Sequence, residues 1–167
     1  MKKFISLLLL VGMAQSTLMA QSEFSNPSIS IGLVASDFDT SYKFYTEIIG
    51  MKEVGGFSVP EVLSEKIGLA GGVAFDVKVL KLMEDDNATE FKLLSFKKPK
   101  NPAESNITDR NGMRYVTIFY SNLDGVIQRL KANNIPFLSD EPTHIPDGRR
   151  FVLVQDPDGV FVELIGK

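Results

Sequence analysis

Hydrophobic and polar positions alternate along 29–34, where Ile29, Ile31 and Leu33 are separated by Ser30, Gly32 and Val34. A period of two with one apolar face predicts a half-buried strand. The period then lengthens. Phe38, Tyr42, Tyr45, Ile48 and Ile49 fall on one face of a helix, Ser36 and Asp39 have the spacing of a capping box at its start, and Gly50 stands where a left-handed C-cap is needed. A strand follows over 51–59, bent by Gly55-Gly56, and 60–69 reads as a short helix or excursion closed by Gly71-Gly72. Segments 73–83 and 90–96 make a strand pair joined by the polar turn Glu84-Asp85-Asp86-Asn87. This first module, 28–96, is β-α-β-β-β.

Residues 97–112 are rich in Pro, Asn and charge and read as a linker. The same order then returns in a second module, 113–167. Strand 113–120 precedes a helix carrying Leu123, Val126, Ile127 and Leu130 on one face and ending at Asn133-Asn134. A strand is expected to begin at 135–138. Strands 151–155 and 160–165 are joined by Asp156-Pro157-Asp158-Gly159, a turn in which proline presets the first torsion and glycine takes the positive one. Ser36-Asp37-Phe38-Asp39 and Ser121-Asn122-Leu123-Asp124 are the corresponding helix starts, 85 positions apart.

Eight strands with one long helix per half give an α+β fold. Strand periodicity assigns Ile31, Leu33, Phe91, Leu93, Val116, Ile118, Val162 and Leu164 to the helix side. Ser30, Gly32, Lys92, Leu94, Tyr115, Thr117, Phe119, Phe161 and Glu163 go to the opposite, inner face. A duplicated module of this kind favours a site between its copies, where Ser30 and Tyr115 are equivalent positions.

Composition narrows the function. The chain of 167 residues is 44% hydrophobic, enough for one domain with a sizeable core in 28–167. Ahead of it, Lys2 and Lys3 precede an apolar run over 4–13 and small or polar residues up to Ala20. That order predicts a secretory signal peptide at 1–20, cleaved after Ala14 or Ala20, followed by a short tail at 21–27. The run is too short to span a bilayer, so no membrane anchor is expected after processing, and the mature protein is expected in the periplasm or outside the cell. The chain has no cysteine, hence no disulfide and no lipid-modified N-terminal Cys. Its formal charge of −3 becomes −5 without Lys2 and Lys3, a poor balance for binding nucleic acid. Lys97, Lys98 and Lys100 form a solvated run within the linker. The sequons at Asn87 and Asn106 are chance matches beside a bacterial-type signal.

Ser36-Asp37-Phe38-Asp39 with Ser41, Phe44-Tyr45 and Ile49-Gly50-Met51, then Asp156-Pro157-Asp158-Gly159 with Glu163 and Leu164, together resemble the vicinal oxygen chelate superfamily, also called the glyoxalase/bleomycin-resistance/dioxygenase superfamily. The resemblance runs from Ile29 to Lys167. It implies two βαβββ modules forming an eight-stranded curved half-barrel around one cavity. It also implies a small-molecule ligand and allows a homodimer. Metal-dependent members carry four ligands, usually His, Glu, His and Glu, at positions that here correspond to Ser30, Lys92, Tyr115 and Glu163. Only Glu163 matches. Divalent first-row ions want imidazole or carboxylate donors, and a lysine ammonium repels them. No metal and no other cofactor is therefore expected at this site. The sole histidine, His144, lies in a proline-flanked loop.

Two readings of the inner constellation stand side by side. In the structural one, Lys92 and Glu163 neutralise each other and Tyr115 fills the space of the missing ion. In the functional one, Ser30, Lys92, Tyr115, Thr117 and Glu163 form the polar floor of a ligand pocket walled by Phe119, Phe161 and Leu94. The functional reading leads to a metal-free binding protein for a small polar or carbonyl-bearing molecule. Its alternatives are a metal-independent lyase or isomerase using Glu163 as base with Lys92 or Tyr115 as partner, and a true metalloenzyme with other ligands.

Overall fold

A computed structural model describes residues 23–167. The expected signal peptide, with both cleavage positions, lies outside the described residues. Among those described, no helix is long and apolar enough to cross a membrane.

The first module runs β1 (Ser30–Ala35), α1 (Phe38–Lys43), a wider π-helical turn over Phe44–Ile49, β2 (Lys52–Val59), α2 (Glu61–Ile67), β3 (Phe75–Lys81) and β4 (Glu90–Ser95). The second runs β5 (Tyr115–Tyr120), α3 (Leu123–Ala132), β6 (Thr143–His144), β7 (Arg150–Gln155) and β8 (Phe161–Gly166). Each module is one four-stranded sheet, in the order β1-β4-β3-β2 or β5-β8-β7-β6. The pairs β1/β4 and β5/β8 are parallel, and the remaining pairs are antiparallel. The α+β duplication read from the sequence is the observed architecture.

Three local expectations are corrected. Segment 135–138 is not a strand, because Pro136 has no N–H to pair and fixes its own torsion. Ile135 and Phe137 instead pack against the core, Leu138 N–H donates to Leu153 O at 2.8 Å, and pairing with β7 begins only at β6. The first helix is capped by Asp37, which accepts from Thr40 N–H at 2.9 Å, and not by Ser36. Ser36 is drawn off by the other module, its N–H donating to Asp158 Oδ1 at 2.9 Å. The linker also contains a 3-10 turn, Ile107–Asp109, with a capping box between Asn106 and Asp109.

The helix-side residues read from periodicity all belong to or pack against one core, together with Phe44, Tyr45, Ile48, Val126 and Leu130. Both modules contribute, so this core also joins them. Polar pins cross the same seam. Tyr45 OH donates to Asp156 Oδ2 at 2.8 Å and Ser41 Oγ to Asp158 Oδ2 at 2.9 Å. Tyr120 OH donates to Ile49 O and Arg129 Nε to Ile48 O, both at 2.7 Å. These last two satisfy carbonyls left free where the first helix ends at Gly50, φ 95°. Asp156 and Asp158, read from the sequence as turn formers, therefore also fasten the turn to the opposite module.

A second, smaller core gathers Val59, Phe75, Val77 and Leu94 on the inner face of the first sheet, with Ala70 and Phe96 at its edge. It covers one end of that face and leaves the other open.

Candidate functional site

The open part of the first inner face is ordered by strand register. Paired residues on neighbouring strands point the same way, so Ser30, Glu90 and Lys81 form one cross-strand row. Gly32, Lys92, Val79 and Gly55 form the next. Beyond it stand Val34 beside Leu94 and Phe57 beside Val77. Polarity thus falls from row to row toward the small core. A cleft of about 590 Å³ lies over these rows, walled by Val54, Phe57 and Val79 and floored by Lys81, Glu90 and Lys92. The acidic turn Glu84-Asp85-Asp86 closes its polar end.

Glu90 organises the floor. Its Oε2 accepts from Ser30 Oγ at 3.0 Å and lies 3.5 Å from Lys92 Nζ. Both charged side chains of this pair are 35% exposed, so the pair is open to a ligand and its attraction is moderated by water. Lys81 Nζ donates to the carbonyls of Asp85 (3.0 Å) and Asp86 (3.4 Å), which fixes the turn. Glu90 was missed in the sequence. The period of two places it on the inner face with Lys92, but it lies on a charged stretch after a turn and has no partner nearby in the chain.

The second inner face is built differently. Glu163 and Thr117 are cross-strand partners, and Thr117 Oγ1 donates to Glu163 Oε2 at 2.7 Å. Tyr115 is 52% and Phe119 67% exposed. Phe161, expected as a pocket wall, is only 1% exposed. Arg114 covers its ring, the guanidinium carbon lying 5.6 Å from the centroid, and Arg114 is itself held by Glu104 of the linker. Leu94, the other expected wall, is buried in the small core.

The residues singled out from the sequence therefore fall into two groups. Ser30 and Lys92 meet through Glu90, whereas Thr117 and Glu163 meet each other. The expected neutralisation of Lys92 by Glu163 is replaced by the Lys92–Glu90 pair, because a neighbour two positions away on the same strand face is closer than one on another sheet. Tyr115 and Thr117 line a crevice of about 280 Å³ with Ile29, Ile31 and Thr89, where the first strands of the two modules face each other. His144 is an exposed residue of β6.

The four superfamily positions do not suit a divalent ion. Lys92 brings a cation to the second of them, and Ser30 at the first is already engaged with Glu90. Among the described residues, no three His, Cys, Asp or Glu side chains are grouped to hold a metal. What the arrangement offers is a donor and an acceptor side by side, Lys92 and Glu90, at the edge of an apolar floor.

A family model described as Glyoxalase/Bleomycin resistance protein/Dioxygenase superfamily matches residues 29–164. An uncharacterised Bacillus subtilis protein, YwbC, is 25% identical over 132 residues, covering 79% of this chain and 90% of that protein. A glyoxalase family protein from Bacillus cereus superposes with a TM-score of 0.69 at 17% identity, over 89% of this chain and 97% of that one. A glyoxalase I mutant from Zea mays gives 0.60 at 22% identity, over 81% of this chain and 43% of that one. At such identities the solved structures speak for the fold alone.

Proposed function

Because the chain belongs to the glyoxalase/bleomycin resistance protein/dioxygenase superfamily, we propose that it is an exported member that binds a small polar or carbonyl-bearing molecule without a metal at the usual site. The observation that carries this reading is the Lys92–Glu90 pair in the open cleft of the first module. The pair puts an ammonium where a carboxylate ligand would stand, and it presents hydrogen-bonding groups beside Val79 and Phe57. Apolar walls with a few convergent polar groups are what a small-molecule site requires.

Export rests on the order of charged, apolar and small residues in 1–20. A homodimer belongs to the same proposal, and light scattering of the mature protein checks it.

Native mass spectrometry of the mature protein, purified without chelator and then exposed to Mn, Fe, Co, Ni and Zn, tests the reading. The expected result is no retained metal, with co-purified small-molecule adducts that disappear in Lys92→Met and Glu90→Gln variants. One divalent ion per chain that withstands competition would overturn it.

Glu163 supports a second reading, as a general base. It is half-buried on the inner face, and Thr117 holds one of its oxygens in place. A Glu163→Gln variant that binds ligand but loses turnover would favour this enzyme. Full turnover in that variant would exclude Glu163 as the base.

A further inference from the structure

Helix α2 packs the wrong way round for a surface helix. Residues four apart on a helix share a face. The residue that α2 turns inward is Ser64, which is buried and whose hydroxyl has no hydrogen-bond partner among the described residues. Aliphatic side chains look out instead. Val62 is 80% exposed on the outer crest, which it shares with Lys66, and Leu63 and Ile67 are exposed together on one flank. Glu61 and Glu65 take the opposite flank, so the acids are separated from the aliphatics. The turn after the helix adds Leu69, 72% exposed, and Val73, also exposed. A surface helix ordinarily turns its aliphatics to the core. An exposed apolar patch rimmed by polar groups marks a surface that something else covers.

Basic residues adjoin this patch. Ala70 and Val73 line a surface hollow of about 340 Å³ with Phe96 and Lys98. Lys97 and Lys100 stand beside Lys98 in the chain, and all three are exposed. Lys43, Lys52, Lys78 and Lys92 each meet a carboxylate. Lys66, Lys97, Lys98 and Lys100 meet none among the described residues. An acidic chain, of formal charge −3, thus keeps a group of unpaired ammonium ions beside its exposed aliphatics. That charge selects the occupant. A two-fold pairing of two copies through this patch would gather the lysines of both in one interface. An anionic lipid surface takes both kinds of group at once, the aliphatics at the acyl boundary and the ammonium ions among the headgroups.

We propose that α2 and the turn after it make a reversible contact with an anionic membrane surface. Val62, Leu63 and Leu69 enter the lipid, while Lys66, Lys97, Lys98 and Lys100 hold the phosphate headgroups. The contact is peripheral and needs no spanning helix. A few aliphatics bind a bilayer weakly by themselves, so the lysines are required and binding depends steeply on salt. The ligand cleft of the first module takes no part, and the contact stands or falls separately from the binding reading above.

The chain has no tryptophan, so Val62→Trp makes a site-specific reporter in the mature protein. Phosphatidylglycerol vesicles are expected to shift its indole emission to the blue, and phosphatidylcholine vesicles are not. Co-sedimentation of the protein without that substitution is expected to be at least about tenfold stronger on phosphatidylglycerol. It should fall by a similar factor between about 0.05 and about 0.5 M NaCl. Val62→Ser combined with Leu69→Ser should abolish sedimentation, and Lys98→Gln combined with Lys100→Gln should weaken it about tenfold, both at unchanged melting temperature. An indole spectrum that ignores phosphatidylglycerol, equal binding to the two lipids, or binding unchanged in either double variant would overturn the proposal. So would a dimer in light scattering that Val62→Ser with Leu69→Ser dissociates while vesicles leave the protein in solution, because a second copy would then be the occupant.

Discussion

Tyr45→Phe tests the seam that holds the two modules together. The Tyr45 hydroxyl is buried and donates to Asp156 Oδ2 at 2.8 Å, while the other carboxylate oxygen accepts from Asp158 N–H and Val160 N–H at 2.9 and 2.7 Å. Asp156 is 6% exposed, so without the hydroxyl Oδ2 stays buried and unpaired. A hydrogen bond to a buried charge is worth about 1.5–3 kcal/mol. For a domain of this size the melting temperature should fall by roughly 3–12 °C. The pH dependence gives a sharper signature. Burial raises the Asp156 pKa above its ordinary value, and the Tyr45 hydrogen bond, which lowers it, only partly opposes this. A carboxyl whose folded pKa is raised contributes stability that is full below the unfolded pKa and lost as pH rises through the folded value. Removing the hydroxyl raises the folded value further, so the variant loses more than the wild type at neutral pH. The gap should narrow on acidification, once Asp156 is protonated in both proteins. Urea unfolding from neutral pH down to pH 4 reads this directly. A deficit under about 0.5 kcal/mol, or one that is constant or grows toward acid, would refute the reasoning. Tyr42→Phe is the control, because its hydroxyl bonds Glu53 at the surface and should matter little.

Other outcomes follow from the same geometry. Gly56→Ala is expected to destabilise by about 1–3 kcal/mol through overpacking against the β3 backbone, whereas Gly55→Ala is expected to be neutral or stabilising; thermal melts compare them. Partial burial pushes the pKa of the half-buried Tyr120 up to about 12, so its phenol should stay protonated in an ultraviolet titration until well above pH 11. Arg129→Met removes donors to Ile48 O and Ile49 O at the end of the first helix, and denaturant unfolding is expected to show a loss of about 1–3 kcal/mol. Installing Ser30→His, Lys92→Glu and Tyr115→His together should raise divalent-ion affinity above that of the parent, visible by native mass spectrometry of both proteins. Failure to bind would show that these positions do not converge.

By itself the sequence determined the duplicated α+β architecture and the side of each strand that faces the core. A strand has a period of two and a helix a period near 3.6, and one apolar face must be buried. Local pattern therefore decides Leu33 against Ser30 and Leu93 against Lys92 without reference to the rest of the chain. The same logic gave Gly50 as a helix end and Asp156-Pro157-Asp158-Gly159 as a turn. It failed at 135–138, where apolar residues promised a strand and Pro136 forbade the pairing. Partners were decided only by tertiary structure. Glu90 became the centre of the first inner face because parallel pairing puts Ser30 beside it, 60 positions away in the chain. Phe161 left the expected pocket because Arg114 and the linker closed over it. Asp156 and Asp158 gained a second role because the other module supplies Tyr45, Ser36 and Ser41. Which charge a side chain meets, and whether water reaches it, depends on neighbours brought from far along the chain, and no local period encodes them.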